Sequence, residues 1–166
     1  MTLTEYILSK KSKYKGVLID TNLLLLLFIG LFDKKQIESY KRVNKYSRED
    51  FDKLNGLINY FSNKIFITSN ILTEICNLTD DFNKKNNQRF FQFVEAMLEH
   101  LKEYSEKSAD LIKNNQRCFY KFGIADTSIV NLAKQNTLII TDDLKLYHFL
   151  ITQNLDAINY NHLNSL

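Results

Sequence analysis

The sequence predicts one α/β domain over residues 1–166: a three-layer α/β/α sandwich around a central, mainly parallel sheet. Three observations carry this. Short apolar, β-rich runs alternate with segments of helical period, which calls for parallel pairing in a layered fold. The run VLID at 17–20 is apolar on both faces, as a central parallel strand must be. The chain has 166 residues, 45% of them hydrophobic, enough for one sizeable core and too few for two.

The elements follow in order. Residues 2–11 fit a short helix. Gly16 to Asp20 reads as the first strand, and Asn22 as the cap of an apolar helix through about Phe32. The polar, basic stretch 33–48 fits a loop or a short helix. Residues 48–62 follow as a helix with Phe51, Leu54, Leu57, Ile58 and Phe61 on one face. Ile65–Ile67 is the second strand. Thr68 or Ser69 then caps a helix carrying Ile71, Leu72, Ile75 and Leu78. Residues 80–87 look turn-like. A long helix is expected over 87–113, with Phe90, Val94, Met97, Leu98, Leu101 and Tyr104 on one face. A connection over 114–123 ends in Gly123. A helix over 124–135, the strand TLIIT at 137–141, a helix over 144–153 and a final edge strand over 155–160 complete the chain.

Composition narrows the function only broadly. A net charge of +3 permits a polyanionic partner without demanding one. Cys76 and Cys118 lack short metal-ligand spacing and read as reduced thiols of a cytoplasmic protein. Lys10, Lys11, Lys13 and Lys15 ahead of VLIDTNLLLLLFIGLF imitate a signal or membrane segment. The uninterrupted part, Leu23–Phe32, is too short to span a bilayer, and no small-residue cleavage site follows. A buried strand feeding a buried helix explains the run, so no membrane partner is expected. His148 reads as structural, and His100 and His162 offer no metal spacing.

The acids form an ordered set. Asp20 closes the first strand, and Asp142 and Asp143 lie just beyond TLIIT. Ligands of such folds gather at those carboxyl ends. Glu74 neighbours Ile71 and Leu78 on its helix, and Asp126 neighbours Ile129 and Val130, so both border buried faces. Any one of these acids alone is explained by a helix cap, a favourable helix dipole or solvent. Together, close carboxylates repel unless a cation lies between them, and an all-oxygen pocket suits Mg²⁺ or Mn²⁺.

Four motifs in this order resemble the PIN domain family: VLIDTNLLLL, ITSNILTEI, GIADTSIVNLA and LIITDDLKL, with LDAINYNHL similar to the family's final edge strand. The likeness covers roughly 16–32, 64–79 and 122–161. It implies a metal-dependent nuclease with Asp20, Glu74, Asp126 and Asp143 as catalytic, metal-holding acids. Alignment on Thr-x-Asp favours Asp143 over Asp142, with a one-residue shift left open. Asn22, Thr141 and Asp142 would orient carboxylates or water around them. The family hydrolyses phosphodiesters by in-line attack of a metal-activated water, leaving a 5′-phosphate and a 3′-hydroxyl. The substrate implied is RNA, with single-stranded DNA as the alternative. The protein partners implied are an antitoxin, as in toxin–antitoxin or defence systems, and a second copy of the chain. The chain exceeds many small PIN toxins in two helical insertions, around 33–62 and 83–113.

Basic residues suggest where a polyanion would lie. Lys41, Arg42 and Lys45 belong to a basic stretch interleaved with Tyr40 and Tyr46, suited to phosphate neutralisation and base stacking, or else simply a solvated loop. Arg117 and Lys121 precede the Asp126 segment. Phe90, Phe91 and Phe93 read as core and partner-facing surface rather than a nucleotide platform. Two other classes compete: a PIN-like scaffold that binds RNA or protein without cutting, and a phosphotransferase with Asp20 as nucleophile. The second would resemble haloacid dehalogenases, which place an Asp where Asn22 stands.

Overall fold

In the computed structural model of the chain, the described residues are 5, 7, 12–62 and 64–163. Five strands form one sheet: β1 (Gly16–Ile19), β2 (Ile65–Thr68), β3 (Lys102–Tyr104), β4 (Thr137–Thr141) and β5 (Ala157–Asn159). Their order is β3-β2-β1-β4-β5, and every pairing is parallel. Eight α-helices among the described residues flank the sheet as a three-layer α/β/α sandwich. They are α1 (Thr21–Asp33), α2 (Arg48–Asn59), α3 (Ser69–Lys85), α4 (Arg89–Leu98), α5 (Ser108–Asn114), α6 (Gln116–Phe122), α7 (Ile124–Ala133) and α8 (Leu144–Thr152).

The central strands dictate the core. Every residue of β1 and of β4 is buried, and Val17, Leu18 and Ile19 lie in register with Leu138, Ile139 and Ile140. Helix α1 is apolar all round, and Leu23 through Gly30 are all buried. Such a helix must be enclosed on every side. Helices α2, α3 and α4 pack on it, while α5, α6 and α8 pack on α7. Each Leu so enclosed contributes about 1.5–3 kcal/mol relative to an exposed one. Phe28, Phe32, Phe82, Phe90 and Phe93 meet edge-to-face in one cluster, so Phe90 and Phe93 serve the core as their spacing suggests. No helix among the described residues is long and apolar enough to cross a membrane.

Several elements differ from expectation. The helix expected over 87–113 is α4, β3 and α5. Residues 102–104 leave the helical path to pair with β2 as the edge of the sheet. Leu101 and Tyr104, three residues apart, mimic helical spacing, but only Tyr104 belongs to the strand and Leu101 lies just before it. The turn expected over 80–87 is the last part of α3, because Thr79, Phe82 and Asn83 face inward. Asn83 Oδ1 accepts from Phe91 N at 2.9 Å and so ties α3 to α4. The connection over 114–123 contains α6, and the last strand spans only 157–159 before a 3-10 turn. The helix over 2–11 lies outside the described residues except at Glu5 and Ile7, both helical. In α4, Phe90 and Val94 are buried.

Gly30 marks where α1 and α2 approach most closely. A Cβ there would lie 2.2 Å from Phe51 Cδ2, whereas a Cβ on Gly56 in α2 meets nothing within 4 Å. Helix propensity alone favours alanine at either site by about 1 kcal/mol. Overpacking costs roughly 1–3 kcal/mol. In urea titrations, Gly30→Ala should lower the unfolding free energy while Gly56→Ala leaves it unchanged or raises it.

Candidate functional site

The strand order steps outward from β1 through β2 to β3, then restarts with β4 on the other side of β1. Chains leave β1 and β4 in opposite directions, which opens a crevice at their carboxyl ends. Asp20 leaves β1 at this crevice, and Thr141, Asp142 and Asp143 leave β4 beside it.

Asp20, not Asn22, caps α1: its Oδ1 accepts from Leu23 N at 2.9 Å. Its Oδ2 accepts from Asp142 N at 2.9 Å and from the Thr141 hydroxyl. The side chain is only 5% exposed. Burial, and then the charge of Asp142, push its carboxyl up to about 7 against the pull of these three hydrogen bonds. Thr141 also accepts from Asp143 N at 3.0 Å, so one buried hydroxyl contacts both acids.

Asp142 and Asp143 divide their tasks. The side chain of Asp142 is enclosed, with Lys45 Nζ at 2.6 Å, the Tyr46 hydroxyl and Asn22 Nδ2 donating to it. Burial opposes its charge, but Lys45, Tyr46 and Asn22 overcome that and hold its carboxyl below the ordinary value. Asn22 thus supports Asp142 from the first turn of α1. Asp143 is exposed and caps α8; its Oδ1 accepts from Lys145 N and Leu146 N.

Two more acids face this edge. Thr21 donates to Glu74 Oε2 at 2.7 Å, which fastens the α3 carboxylate beside Asp20. Asp126 stands in the first turn of α7. Gly123 makes the reversal from α6 to α7 with φ 85°, a backbone that favours glycine. Ser128, two residues on, shares a 2.9 Å hydrogen bond with Thr68 at the carboxyl end of β2, which anchors α7 to the sheet. Burial, then the charges of Asp143 and Glu74, push the Asp126 carboxyl up to about 6.

The donor chemistry suits a hard divalent cation: carboxylate oxygens, partly buried, repelling one another. Asp20, Glu74, Asp126 and Asp143 would hold it. Among the described residues no group of three or more His, Cys, Asp or Glu is arranged to hold a metal ion as the side chains stand. The acids would therefore have to draw together around it.

The expected substrate residues scatter. Lys45 reaches the crevice, through Asp142. Lys41 pairs with Asp81 at 2.9 Å, and Arg42 lies near Tyr40. Tyr40 and Tyr46 are buried, their hydroxyls bound to Leu78 O and Asp142, so neither can stack a base. Arg117 stands beside Lys134, past the end of α7 opposite to Asp126. Lys121 lies over the rings of Phe122 and Phe149. Tyr46 and Thr21 are the supporting residues that motif spacing missed. Thr21 could have been found from its place beside Asp20; Tyr46 meets Asp142 across 96 residues and had no local signal.

The charge on Asp126 has a stability cost with a definite sign. Unfolded, its carboxyl releases the proton near 3.8; folded, it keeps the proton to about 6. The folded state thus binds more protons in that window, and stability falls as pH rises through it. Asp20 extends the fall to about 7. In metal-free buffer the melting temperature should drop between pH 4.5 and 7.5. Asp126→Asn should flatten the drop and add roughly 1–3 kcal/mol at pH 7.5. No protein-family model matches this chain, and neither a curated protein nor a solved structure is significantly similar to it.

Proposed function

We propose that the chain is a PIN-type, divalent-metal-dependent endoribonuclease of the cytoplasm, acting through Asp20, Glu74, Asp126 and Asp143. The observation that carries this is the gathering of Asp20, Glu74, Asp126 and the Asp142–Asp143 pair, from four separate chain segments, at the carboxyl edge of the sheet. Asp20 and Asp143 also cap helices, but capping alone does not call for acids from four segments at one edge. Here two of them carry carboxyls raised by burial and by one another, an arrangement typical of functional sites.

Mg²⁺ or Mn²⁺, when bound, would polarise the scissile phosphate and ease deprotonation of the attacking water. The chain's own residues do the rest. Thr141, Leu23 N and Asp142 N fix both oxygens of Asp20 in direction. Thr21 fixes Glu74. Asp143 is the better fourth acid, since its charge reaches Asp126 while Asp142 is already neutralised by Lys45. Lys45, 54% exposed, stands at the rim where a phosphate would approach. A toxin or defence role, an antitoxin and a homodimer rest on the family resemblance alone.

Purified protein with Mn²⁺ should cut structured RNA, and EDTA should stop it. Asp20→Asn should remove at least about a hundredfold of the rate, as loss of a central electrostatic group does, with the circular dichroism spectrum unchanged. Cutting by Asp20→Asn at the wild-type rate would overturn the assignment. No cutting of RNA or single-stranded DNA by folded wild type would favour the binding scaffold.

A further inference from the structure

Away from the acidic edge, a second cavity opens between α5, α6, α7 and α8. Its volume is about 260 Å³. Lys113, Arg117 and Lys134 line it, with Asn115 and Gln153 adding amides and Phe149 an apolar wall. No carboxylate lines it among the described residues.

What sets these three cations apart is that they line one cavity together. Lys13, Lys34, Lys41, Lys45, Arg48, Lys53 and Lys84 each pair with a carboxylate. Lys113, Arg117 and Lys134 appear in no ion pair among the described residues, and all three are exposed. Lys134 is aimed by a 2.7 Å hydrogen bond to Asn115 Oδ1. Asn115 is itself buried and held through its amide by Leu111 O and Asn131 Oδ1. One wall of the cavity is therefore fixed rather than a loose surface of lysines. A neighbouring cavity at the start of β4 differs: there Lys13 is already neutralised by Asp156 at 2.7 Å.

Three cations converging without a counter-charge repel each other and attract an anion. Arginine matches the oxygens of a phosphate, and the exposed Gln153 amide adds a donor to the lining. The volume limits the ligand to a small molecule, and the Phe149 wall would take a flat or apolar group. We propose that this cavity binds a phosphate monoester of mononucleotide size. Asp126 and Lys134 sit eight residues apart on α7 and its end, about 12 Å along the axis. The cavity is thus a site separate from the acidic crevice, and its ligand needs no metal.

The test is calorimetric titration of the full chain in EDTA with adenosine monophosphate, inorganic phosphate and adenosine. The monophosphate should bind saturably, phosphate more weakly and adenosine not at all. Arg117→Ala, which removes a side chain with no hydrogen bond among the described residues, should weaken binding roughly tenfold or more. Lys134→Gln, which can keep the bond to Asn115, should weaken it as well. Asp20→Asn should bind as wild type. A 5′-phosphorylated dinucleotide that binds more tightly, with the same loss in Arg117→Ala, would keep the site and assign its phosphate to a nucleic-acid end. No saturable binding by folded wild type would overturn the proposal. So would equal binding by Arg117→Ala, or binding lost in Asp20→Asn.

Discussion

The Asp20 carboxylate ties three elements together at one point: β1, the start of α1 and the end of β4. Its oxygens take a hydrogen bond from the start of α1 and two from the end of β4, while its backbone N–H donates to Ile140 O at 3.0 Å. A charge buried this deeply is expensive unless every lone pair is engaged. Here the engagement is nearly complete, yet burial and Asp142 still raise the proton affinity. The same group that sets the direction of α1 and the spacing of β1 from β4 therefore holds unspent electrostatic strain. Relief of that strain by a cation is the simplest use for it.

The surrounding fold is arranged to keep that carboxylate in place. Helix α1 has no polar face with which to slide toward solvent, so its first turn cannot drift. Lys45 and Tyr46 come from the turn segment between α1 and α2, and they clamp Asp142 from the far side. Part of the 33–62 segment thus completes the crevice wall. The 83–113 segment does a different job, supplying β3 and helices α4 and α5 beside the sheet's edge.

Much of this was legible in the sequence because it is local. VLID and TLIIT are apolar on both faces, and an acid directly beyond such a strand falls at the ligand edge of a parallel sheet by geometry alone. The caps were half legible. Asp20 and Asn22 are both good capping residues two positions apart, and only the buried contact with Thr141 decides for Asp20. What escaped was short or non-local. A three-residue strand at 102–104 carries too little pattern to interrupt an apparent helical stripe, and its partner β2 lies more than thirty residues earlier. Tyr46 looked like a surface aromatic among cations because its partner acid is 96 residues away. Arg117 looked close to Asp126 because the Gly123 reversal, which sends α7 back along α6, is invisible to counting.

The pairing of β1 with β4 has a kinetic side. Thr141 and Asp20 are 121 residues apart in the chain, and β1 to β4 is the central ladder of the sheet. Contacts of such span are slow to close, because loop entropy is lost before they form. Strand β1 and the oily α1 emerge early in synthesis and must wait for TLIIT, with α2, α3 and α4 as their interim cover. Docking of β4 on β1 is the event that brings Asp142 and Asp143 to Asp20. A chain without that pairing has no acidic crevice, so the site itself reports that the central ladder has formed.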